Sequence, residues 1–252
     1  MSRDVRVAVF RPDDERLADA IELLASLGAD PVADPMLEVR PTGETPGEGE
    51  YVVLTSKTGV ELAAAAGWEP TDDSGGEATV CAIGESTAEV LREAGYSVDI
   101  VPEEFTSTGL VEALEGEVEG RRVEVARSDH GSEVLTEGLA AAGADVNETV
   151  LYQLARPEGS GDSAALAAEG DLDAALFTSS LTVSHFLDAA EERGVREDAI
   201  AGLNEAVVGA IGEPTRETAE SEGISVDVVP AVADFEKLAT AVVEDAAPTY
   251  HE

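Results

Sequence analysis

The sequence predicts an α/β fold with two domains, and three observations lead to that prediction. Short apolar runs alternate with segments in which apolar residues recur at helical spacing, which is typical of parallel sheets covered by helices. Part of the chain is repeated 128 residues later. The length of 252 residues suits two domains of about 100 to 150 residues each.

The internal repeat joins residues 82–102 to residues 210–230. The first segment reads AIGESTAEVLREAGYSVDIVP and the second reads AIGEPTRETAESEGISVDVVP, with 12 of 21 positions identical and no gap. Two shorter matches precede the two copies in the same order: Arg6–Arg11 with Arg122–Arg127, and Leu54–Ser56 with Phe177–Ser179. A period this long exceeds that of solenoid repeats, so we interpret it as an internal duplication of a globular domain.

The first apolar run, Val5–Phe10, predicts a strand that leads into a helix. Asp13 and Asp14 are candidates for the N-cap of this helix, and Gly28 marks its end. Between them, apolar residues recur every three or four positions: Leu17, Ile21, Leu24 and Leu27. The spacing predicts a helix that buries one face.

The same pattern recurs along the chain. Five further strands are predicted at Tyr51–Leu54, Val80–Ile83, Val123–Ala126, Ala174–Phe177 and Ala206–Ile211. The helix after the third of these ends at Gly143, and each other strand leads into a helical segment that begins at Ser or Thr. Strands that alternate with helices form parallel sheets with helices on both faces. We therefore expect two doubly wound, flavodoxin-like domains.

Two polar segments rich in glycine, Thr42–Glu50 and Glu158–Asp171, are interpreted as linkers. Each follows an extended segment that ends in Arg-Pro, Met36–Pro41 and Thr149–Pro157 respectively. We expect these extended segments to pair as a two-stranded linker at the domain junction. The C-terminal tail, Asp245–Glu252, is expected to be frayed.

The chain is strongly acidic, since 54 Asp and Glu residues against 15 Lys and Arg residues give a formal net charge of -39. This charge excludes nucleic acid and anionic membrane surfaces as partners, because both would be repelled. Apolar blocks along nearly the whole chain argue against disorder. We interpret the charge as an adaptation to a cytosol rich in salt, where the Debye length is about 3 Å near 1 M. The expected source is a halophilic archaeon.

The remaining composition limits the compartment and the chemistry. No apolar stretch approaches the ~20 residues of a membrane span, so we expect a soluble, cytoplasmic protein. Cys81, the only cysteine, lies in a predicted buried strand, which excludes a disulfide and a thiolate metal site. His130, His185 and His251 are far apart and show no ligand spacing, so we expect no metal.

Polar turns follow the predicted strands. They are Thr55-Ser56, Gly84–Thr87, Arg127–Asp129, Thr178–Ser180 and Gly212–Thr215, and Thr106–Thr108 opens a further helix. Hydroxyls and free N–H groups at helix N-termini bind anions, and in open α/β sheets these turns lie where ligands bind. N-capping alone explains any single turn. The full set, facing one cleft, suits a ligand with many carboxylates or phosphates, whereas the absence of Walker A and Rossmann glycine patterns disfavours nucleotides.

Five segments in order carry a resemblance to a known family. They are LTSKTGVE (54–61), AIGESTAEVLREAGY with FTSTGLVEAL (82–96 and 105–114), LYQLARP (151–157), LFTSSLTVSHF (176–186) and AIGEPTRETAESEGI (210–224). Together they are similar to uroporphyrinogen-III synthase over nearly the whole chain. The resemblance implies a discontinuous first domain of residues 1–37 and 157–252. It also implies a second domain of residues 43–150, with 38–42 and 151–156 as the connection.

The resemblance also implies a reaction. Hydroxymethylbilane, a linear tetrapyrrole with eight carboxylates, loses its terminal hydroxyl, inverts its last pyrrole through a spiro intermediate and closes to a ring. No cofactor is needed for tetrapyrrole formation of this kind. Spontaneous closure gives the type I isomer. The enzyme's main task is therefore to hold the two ends of the chain so that closure with inversion is faster than closure without it. We expect a monomer that makes a transient contact with the upstream deaminase.

Positions within the family's motifs imply roles for single residues. Tyr152 matches the tyrosine of the connecting segment, and its phenol is expected to give a proton to the departing hydroxyl. The alternative role for Tyr152 is packing between the domains. The residues expected to bind substrate carboxylates are Thr55, Ser56, Ser86, Thr87, Arg127, Thr178, Ser179 and Thr215. Arg127 has a counterpart in Arg11, so a repeated structural role is equally open.

Two features depart from the family pattern. Lys57 and Thr58 occupy a variable site, and Glu85 and Glu213 place negative charge beside two expected anion sites. These glutamates are compatible with anion binding where they point away and strengthen the helix starts.

Two other classes of protein fit parts of the sequence. A cytoplasmic two-lobed receptor for a small molecule would use the same layout and the same hydroxyl-bearing turns, although the chain has no output module. A flavodoxin-like electron carrier needs an aromatic flavin site, whereas aromatic residues make up 4% of the chain and Trp68 is the only tryptophan.

Overall fold

The computed structural model describes residues 5–247, which contain nine strands and ten helices. The strands are β1 (Val5–Val9), β2 (Ala29–Ala33), β3 (Glu38–Pro41), β4 (Tyr51–Leu54), β5 (Thr79–Ala82), β6 (Arg122–Ser128), β7 (Asp145–Ala155), β8 (Ala174–Phe177) and β9 (Val207–Ala210). The helices are α1 (Glu15–Ser26), α2 (Lys57–Ala65), α3 (Glu85–Glu93), α4 (Ser107–Leu114), α5 (Glu133–Ala141), α6 (Asp162–Ala168), α7 (Ser180–Glu192), α8 (Arg196–Leu203), α9 (Glu213–Ser221) and α10 (Phe235–Ala246).

These elements form two compact units. Unit 1 contains residues 5–38 and 155–247, and unit 2 contains Val39–Leu154. The sequence-based boundaries for the second domain were 43–150, so the structural unit includes a few more residues of β3 and β7. Within the described residues, no helix combines the length and the apolar character needed to cross a membrane.

Unit 1 has a four-stranded sheet in the order β2-β1-β8-β9, and its described strand pairs are parallel. Helices α1 and α10 cover one face of the sheet, where Leu17, Leu24 and Val242 are buried. Helices α6 to α9 cover the other face, where Phe177 and Phe186 pack edge to face with ring centroids 5.8 Å apart. Both faces of the sheet are therefore covered by helices.

Unit 2 has a five-stranded sheet in the order β3-β7-β6-β4-β5. The pairs β4–β5, β4–β6 and β6–β7 are parallel. Helices α2 and α3 bury Val60 and Leu91 against one face, and α4 and α5 bury Leu114 and Leu139 against the other. The prediction of an α/β fold with parallel sheets is thus confirmed.

Segments that match in sequence occupy the same place in the two sheets. The order β2-β1-β8-β9 in unit 1 corresponds to β7-β6-β4-β5 in unit 2, with the matched segments on β1 and β6, β8 and β4, and β9 and β5. The details repeat as well, since the Val80 N–H donates to the Asp99 carboxylate and the Val208 N–H donates to the Asp227 carboxylate, both at 2.8 Å. The segment that follows α3 is therefore attached to β5 in the same way as the segment that follows α9 is attached to β9.

The prediction missed one strand and part of another. Strand β2 was not predicted, because its sequence ADPVA contains a charged residue and Pro31, which suit an edge strand but break the apolar pattern. Strand β7 begins at Asp145, four residues before the predicted extended segment, and its first half is largely polar. Strand β3 lies beside β7 in the sheet, so the two extended segments named in the sequence are neighbours.

Two predictions were wrong. Glu158–Asp171 is not a plain linker, because it contains helix α6, in which Ala164 and Ala167 are buried. The buried Asp34 carboxylate accepts hydrogen bonds from the Gly161 and Ser163 N–H groups and from the Ser163 hydroxyl at the start of this helix. The tail is not frayed from Asp245, since α10 continues to Ala246. Residues 248–252, which include His251, lie outside the described residues.

Candidate active site

A cavity of about 260 Å³ lies within unit 2, at the carboxyl ends of β4 and β6. Its walls come from these strand ends, from β7 and from the first residues of α2, α4 and α5. The lining residues are Thr55, Ser56, Ile83, Ser107, Arg127, Ser128, His130, Gly131, Ser132, Leu135 and Tyr152. Hydroxyl groups dominate this wall, so it offers hydrogen-bond donors and acceptors to a polar ligand.

Tyr152 and Ser56 both line the cavity and are joined by a hydrogen bond. Tyr152 is 6% exposed, and its hydroxyl donates to the Ser56 Oγ at 2.9 Å. The Ser56 Oγ also accepts from the Gly59 N–H at 3.0 Å, so it caps helix α2. A Cβ atom at position 59 would lie 3.1 Å from the Ser56 Oγ, and glycine therefore permits this close arrangement. The phenol is held at the N-terminus of α2, where a developing negative charge is favoured.

Arg127 is buried beneath the loop that follows β6. It is 7% exposed, and its guanidinium donates to the Glu148 carboxylate at 2.5 Å and to the Ser132 carbonyl at 2.6 Å. The loop passes so close that a Cβ atom at Gly131 would lie 2.3 Å from the Arg127 Cδ. Glu148 already neutralises this arginine, so a substrate carboxylate would have to compete with Glu148 for it.

Asp129 ties the same loop to β7. Its N–H donates to the Tyr152 carbonyl at 3.2 Å, and its Oδ1 accepts from the Leu154 N–H at 2.9 Å. The Asp129 Oδ1 also lies 2.8 Å from the His130 Nδ1. Burial acts to raise the pKa of Asp129, but the hydrogen bonds from His130 and Leu154 outweigh it and hold that pKa below its ordinary value. Asp129 is therefore a firm acceptor for the imidazole.

The other predicted binding residues of unit 2 lie outside this cavity. Ser86 and Thr87 are in the first turn of α3, and Thr87 is buried. Glu85, which precedes them, forms an ion pair with Arg92 at 2.5 Å along the helix surface. That pairing reduces the negative charge that Glu85 presents at the helix start.

Three predicted binding residues belong to unit 1. Thr178 and Ser179 follow β8, and Ser179 forms a capping box with Thr182 in which each side chain accepts a backbone N–H at 3.2 Å. Thr215 is buried in the first turn of α9, where Glu213 forms an ion pair with Arg216. The Ser179 oxygen thus serves as the N-cap of α7. N-capping was the alternative to anion binding that the sequence left open for each polar turn.

Of the residues named from the sequence, the cavity brings together Thr55, Ser56, Arg127 and Tyr152. Sequence reasoning missed the position of His130 in the cavity wall, since it considered this residue only as a metal ligand. The available signal was its position directly after Arg127–Asp129, a polar turn at the end of a strand. His185 has a different environment, since it is buried with its Nδ1 2.5 Å from the Met36 carbonyl. Across residues 5–247, no three His, Cys, Asp or Glu side chains are placed to hold a metal ion.

Comparison with known proteins identifies the family. The model of the family described as Uroporphyrinogen-III synthase HemD matches residues 18–240. The chain belongs to this family. A Methanothermobacter thermautotrophicus protein provisionally named uroporphyrinogen-III synthase is 35% identical over 231 residues, which cover 87% of this chain and 90% of that protein. The uroporphyrinogen-III synthase of Synechococcus elongatus is 33% identical over 144 residues, 56% of this chain and 54% of that protein.

Solved structures share the fold. A mutant uroporphyrinogen III synthase from Thermus thermophilus has a TM-score of 0.67 and 19% identity, and the match covers 96% of this chain and 98% of that one. The uroporphyrinogen-III synthetase of Helicobacter pylori has a TM-score of 0.60 and 15% identity, with 97% and 100% covered. The α/β architecture described above is therefore that of uroporphyrinogen-III synthase structures, and the resemblance expected from the five sequence segments is confirmed.

Proposed function

We propose that this chain is a uroporphyrinogen-III synthase, a lyase that cyclises hydroxymethylbilane with inversion of ring D and loss of water. The observation that carries the proposal is the family match over residues 18–240, which spans both structural units. The cavity of unit 2 adds a buried phenol and several hydroxyl groups at the carboxyl ends of parallel strands, which is where open α/β sheets bind ligands. The reaction belongs to tetrapyrrole biosynthesis.

Tyr152 is proposed as the proton donor. The terminal hydroxyl of the substrate is a poor leaving group, and it departs as water once it receives a proton. The Tyr152 hydroxyl donates to Ser56 in the structure, so a substrate hydroxyl that approached this point would need only a small reorientation of the O–H bond. The N-terminus of α2 then stabilises the phenolate that remains.

The substrate carboxylates are assigned to hydroxyl groups and helix N-termini. In the cavity, Thr55 and Ser56 lie at the start of α2 and supply donors of the kind that hold anions. The family motifs extend the same assignment to Ser86, Thr87, Thr178, Ser179 and Thr215. Arg127 is also proposed to bind a substrate carboxylate, which would compete with Glu148 for the guanidinium.

We also propose that the protein works in the cytoplasm of a halophilic archaeon. The support is the net charge of -39. In dilute solution the negative side chains repel one another, whereas molar salt screens this repulsion. The proposal includes a monomeric enzyme that meets the upstream deaminase transiently. The proposal keeps the domain assignment made from the sequence. The first domain contains residues 1–37 and 157–252, the second contains residues 43–150, and a two-stranded linker joins them. It also keeps the internal duplication, which the equal strand orders support.

A product-isomer assay tests the proposed function. Hydroxymethylbilane made freshly by its deaminase would be mixed with the protein in molar KCl, without metal or nucleotide, and the product oxidised and separated by isomer. The type III isomer should dominate, whereas spontaneous closure gives type I. A type I profile equal to the control without enzyme, from protein shown to be folded, would contradict the synthase and favour the two-lobed binding protein.

A further inference from the structure

The loop after β6 holds an imidazole in the cavity that Tyr152 also lines. His130 and Tyr152 both contribute to its wall. Their relative position is set by two hydrogen bonds of Asp129 to β7, one to the Tyr152 carbonyl and one from the Leu154 N–H. The His130 N–H donates in turn to the Ser128 Oγ at 3.3 Å. The loop is thus attached to β7 at two residues, Tyr152 itself and Leu154.

The contact with Asp129 decides which ring nitrogen of His130 is basic. The two atoms, Asp129 Oδ1 and His130 Nδ1, are 2.8 Å apart. An ionised carboxylate can only accept a hydrogen bond, so Nδ1 carries the hydrogen and the neutral ring keeps its lone pair on Nε2. The His130 side chain lines the cavity and is 46% exposed, so a molecule in the cavity can reach the ring.

Cyclisation needs a base as well as an acid. When the terminal C–O bond breaks, the hydroxyl takes a proton and leaves as water, and the substrate becomes a cation. The closing C–C bond then forms at a pyrrole carbon that still bears its hydrogen, and this hydrogen must leave as a proton before the ring regains its aromatic electrons. The net change is one water released, with no oxidation or reduction.

We propose that His130 is a second catalytic residue of the proposed cyclisation, whose Nε2 takes the proton released at ring closure, and that Asp129 is its positioning residue. This inference rests on the proposed function. In each turnover Tyr152 gives one proton to the departing hydroxyl and His130 receives one from carbon. The imidazolium then returns its proton to the phenolate through solvent, which restores both residues.

A pH profile can test the proposed role of His130, because the charged groups around it ordinarily titrate in other pH ranges. The other titratable side chains that line the cavity are Arg127 and Tyr152, and Arg127 is neutralised by Glu148 on β7. Asp129 remains ionised well below neutral pH because its pKa is lowered despite its burial. In α2 and α5, the charged residues closest in sequence to the cavity-lining serines Ser56 and Ser132 are Lys57 and Glu133 respectively. None of these groups ordinarily titrates between pH 5 and 8, the range in which an imidazole does.

The test compares the parent protein with His130→Gln and Asp129→Asn in molar KCl. For the parent, kcat/KM for the type III product should fall on the acid side as an imidazole protonates. His130→Gln should lower kcat by about 100-fold, within the usual range for a general base, and should abolish that acid limb with KM changed less than about twofold. Asp129→Asn should lower kcat and should remove the preference of the neutral ring for a hydrogen on Nδ1, because the imidazole loses the carboxylate that accepts it. Asp188→Asn, an exposed change on α7, is the matched control and should match the parent.

Two results would overturn the inference. One is a His130→Gln protein that is folded by circular dichroism and has the parent's kcat and acid limb. The other is a nitrogen NMR spectrum of the neutral imidazole that places the hydrogen on Nε2, a measurement that also serves where a variant fails to fold. The proposed function is judged separately, since it fails only where the parent itself gives the type I isomer.

Discussion

Tyr152 and Ser56 are 96 residues apart in the chain, and a 2.9 Å hydrogen bond joins the phenol of one to the helix-capping oxygen of the other. The contact places a proton donor at the N-terminus of α2, inside a cavity lined by hydroxyl groups. It also gives the oxygen of Ser56 two donors, the phenol and the Gly59 N–H. Removing the phenolic hydrogen therefore affects both the proposed chemistry and the local hydrogen bonding.

Tyr152→Phe should lower kcat by about 100-fold or more, because it removes a general acid while it keeps the ring. The free energy of unfolding should fall by only about 0.5–1.5 kcal/mol, the contribution of one hydrogen bond. Steady-state rates of type III formation and denaturant unfolding measure the two effects. Tyr96→Phe is the matched control, since its hydroxyl donates to the Trp68 carbonyl at 2.8 Å away from the cavity. Equal turnover in the two variants would remove Tyr152 from the catalytic role.

Thr87→Val and Thr215→Val should each raise KM by about 10-fold to 100-fold, because a hydroxyl bonded to a charged carboxylate contributes about 1.5–3 kcal/mol. Valine keeps the shape of these buried side chains and puts a methyl group in place of the hydroxyl. Thr87→Ser and Thr215→Ser keep the hydroxyl and should keep the parent's KM. If the valine and serine variants share one KM, these helix-start threonines do not bind the substrate.

Activity should rise several-fold between about 0.1 M and 2 M KCl. A substrate with many carboxylates is repelled by a chain of net charge -39, and salt shortens the range of that repulsion. Circular dichroism at each salt concentration would report the folded fraction, so that rates refer to folded protein. Sucrose, which stabilises folded proteins without screening charge, is the control and should not reproduce the gain. A maximum rate in dilute buffer would contradict this electrostatic account.

Cys81 should resist alkylation in the folded protein at pH 8. Burial of the thiol raises its pKa to about 12, so the reactive thiolate is scarce and the sulfur is also covered. In denaturant the thiol regains an ordinary pKa of about 8.5 and should react within minutes. A thiol-reactive chromophore measures both rates, with free cysteine as the control. Rapid modification of protein that remains folded would contradict the burial of Cys81.

The strands that the sequence predicted are those whose residues are buried by both layers of helices. Val52 and Val208, for example, lie in short apolar runs of the two sheets. The edge strand β2 was missed because its pairing with β1 compensates for Pro31 and Asp30, and that pairing is not visible in a local pattern. Helix α6 was missed for a similar reason, because the Asp34 carboxylate that caps its first turn is distant in the chain.

The candidate site was predictable residue by residue but not in its contacts. Tyr152 and Ser56 were both named from motifs, while their hydrogen bond depends on the order of β4, β6 and β7 in the sheet. The pairing of Arg127 with Glu148 likewise depends on the register of β6 and β7. The Asp129–His130 contact joins neighbours in sequence, and only the attachment of the loop to β7 gives it a place beside Tyr152.

The arrangement of the strands of unit 1 also constrains how the chain folds during synthesis. Strand β1 pairs with β8, with Val7 opposite Ala174, and all of unit 2 lies between them in the chain. A growing chain that leaves the ribosome can complete the sheet of unit 2 before β8 has been made, whereas β1 and β2 must wait for it. The order of translation therefore favours unit 2, which carries the cavity and Tyr152, as the first unit to fold.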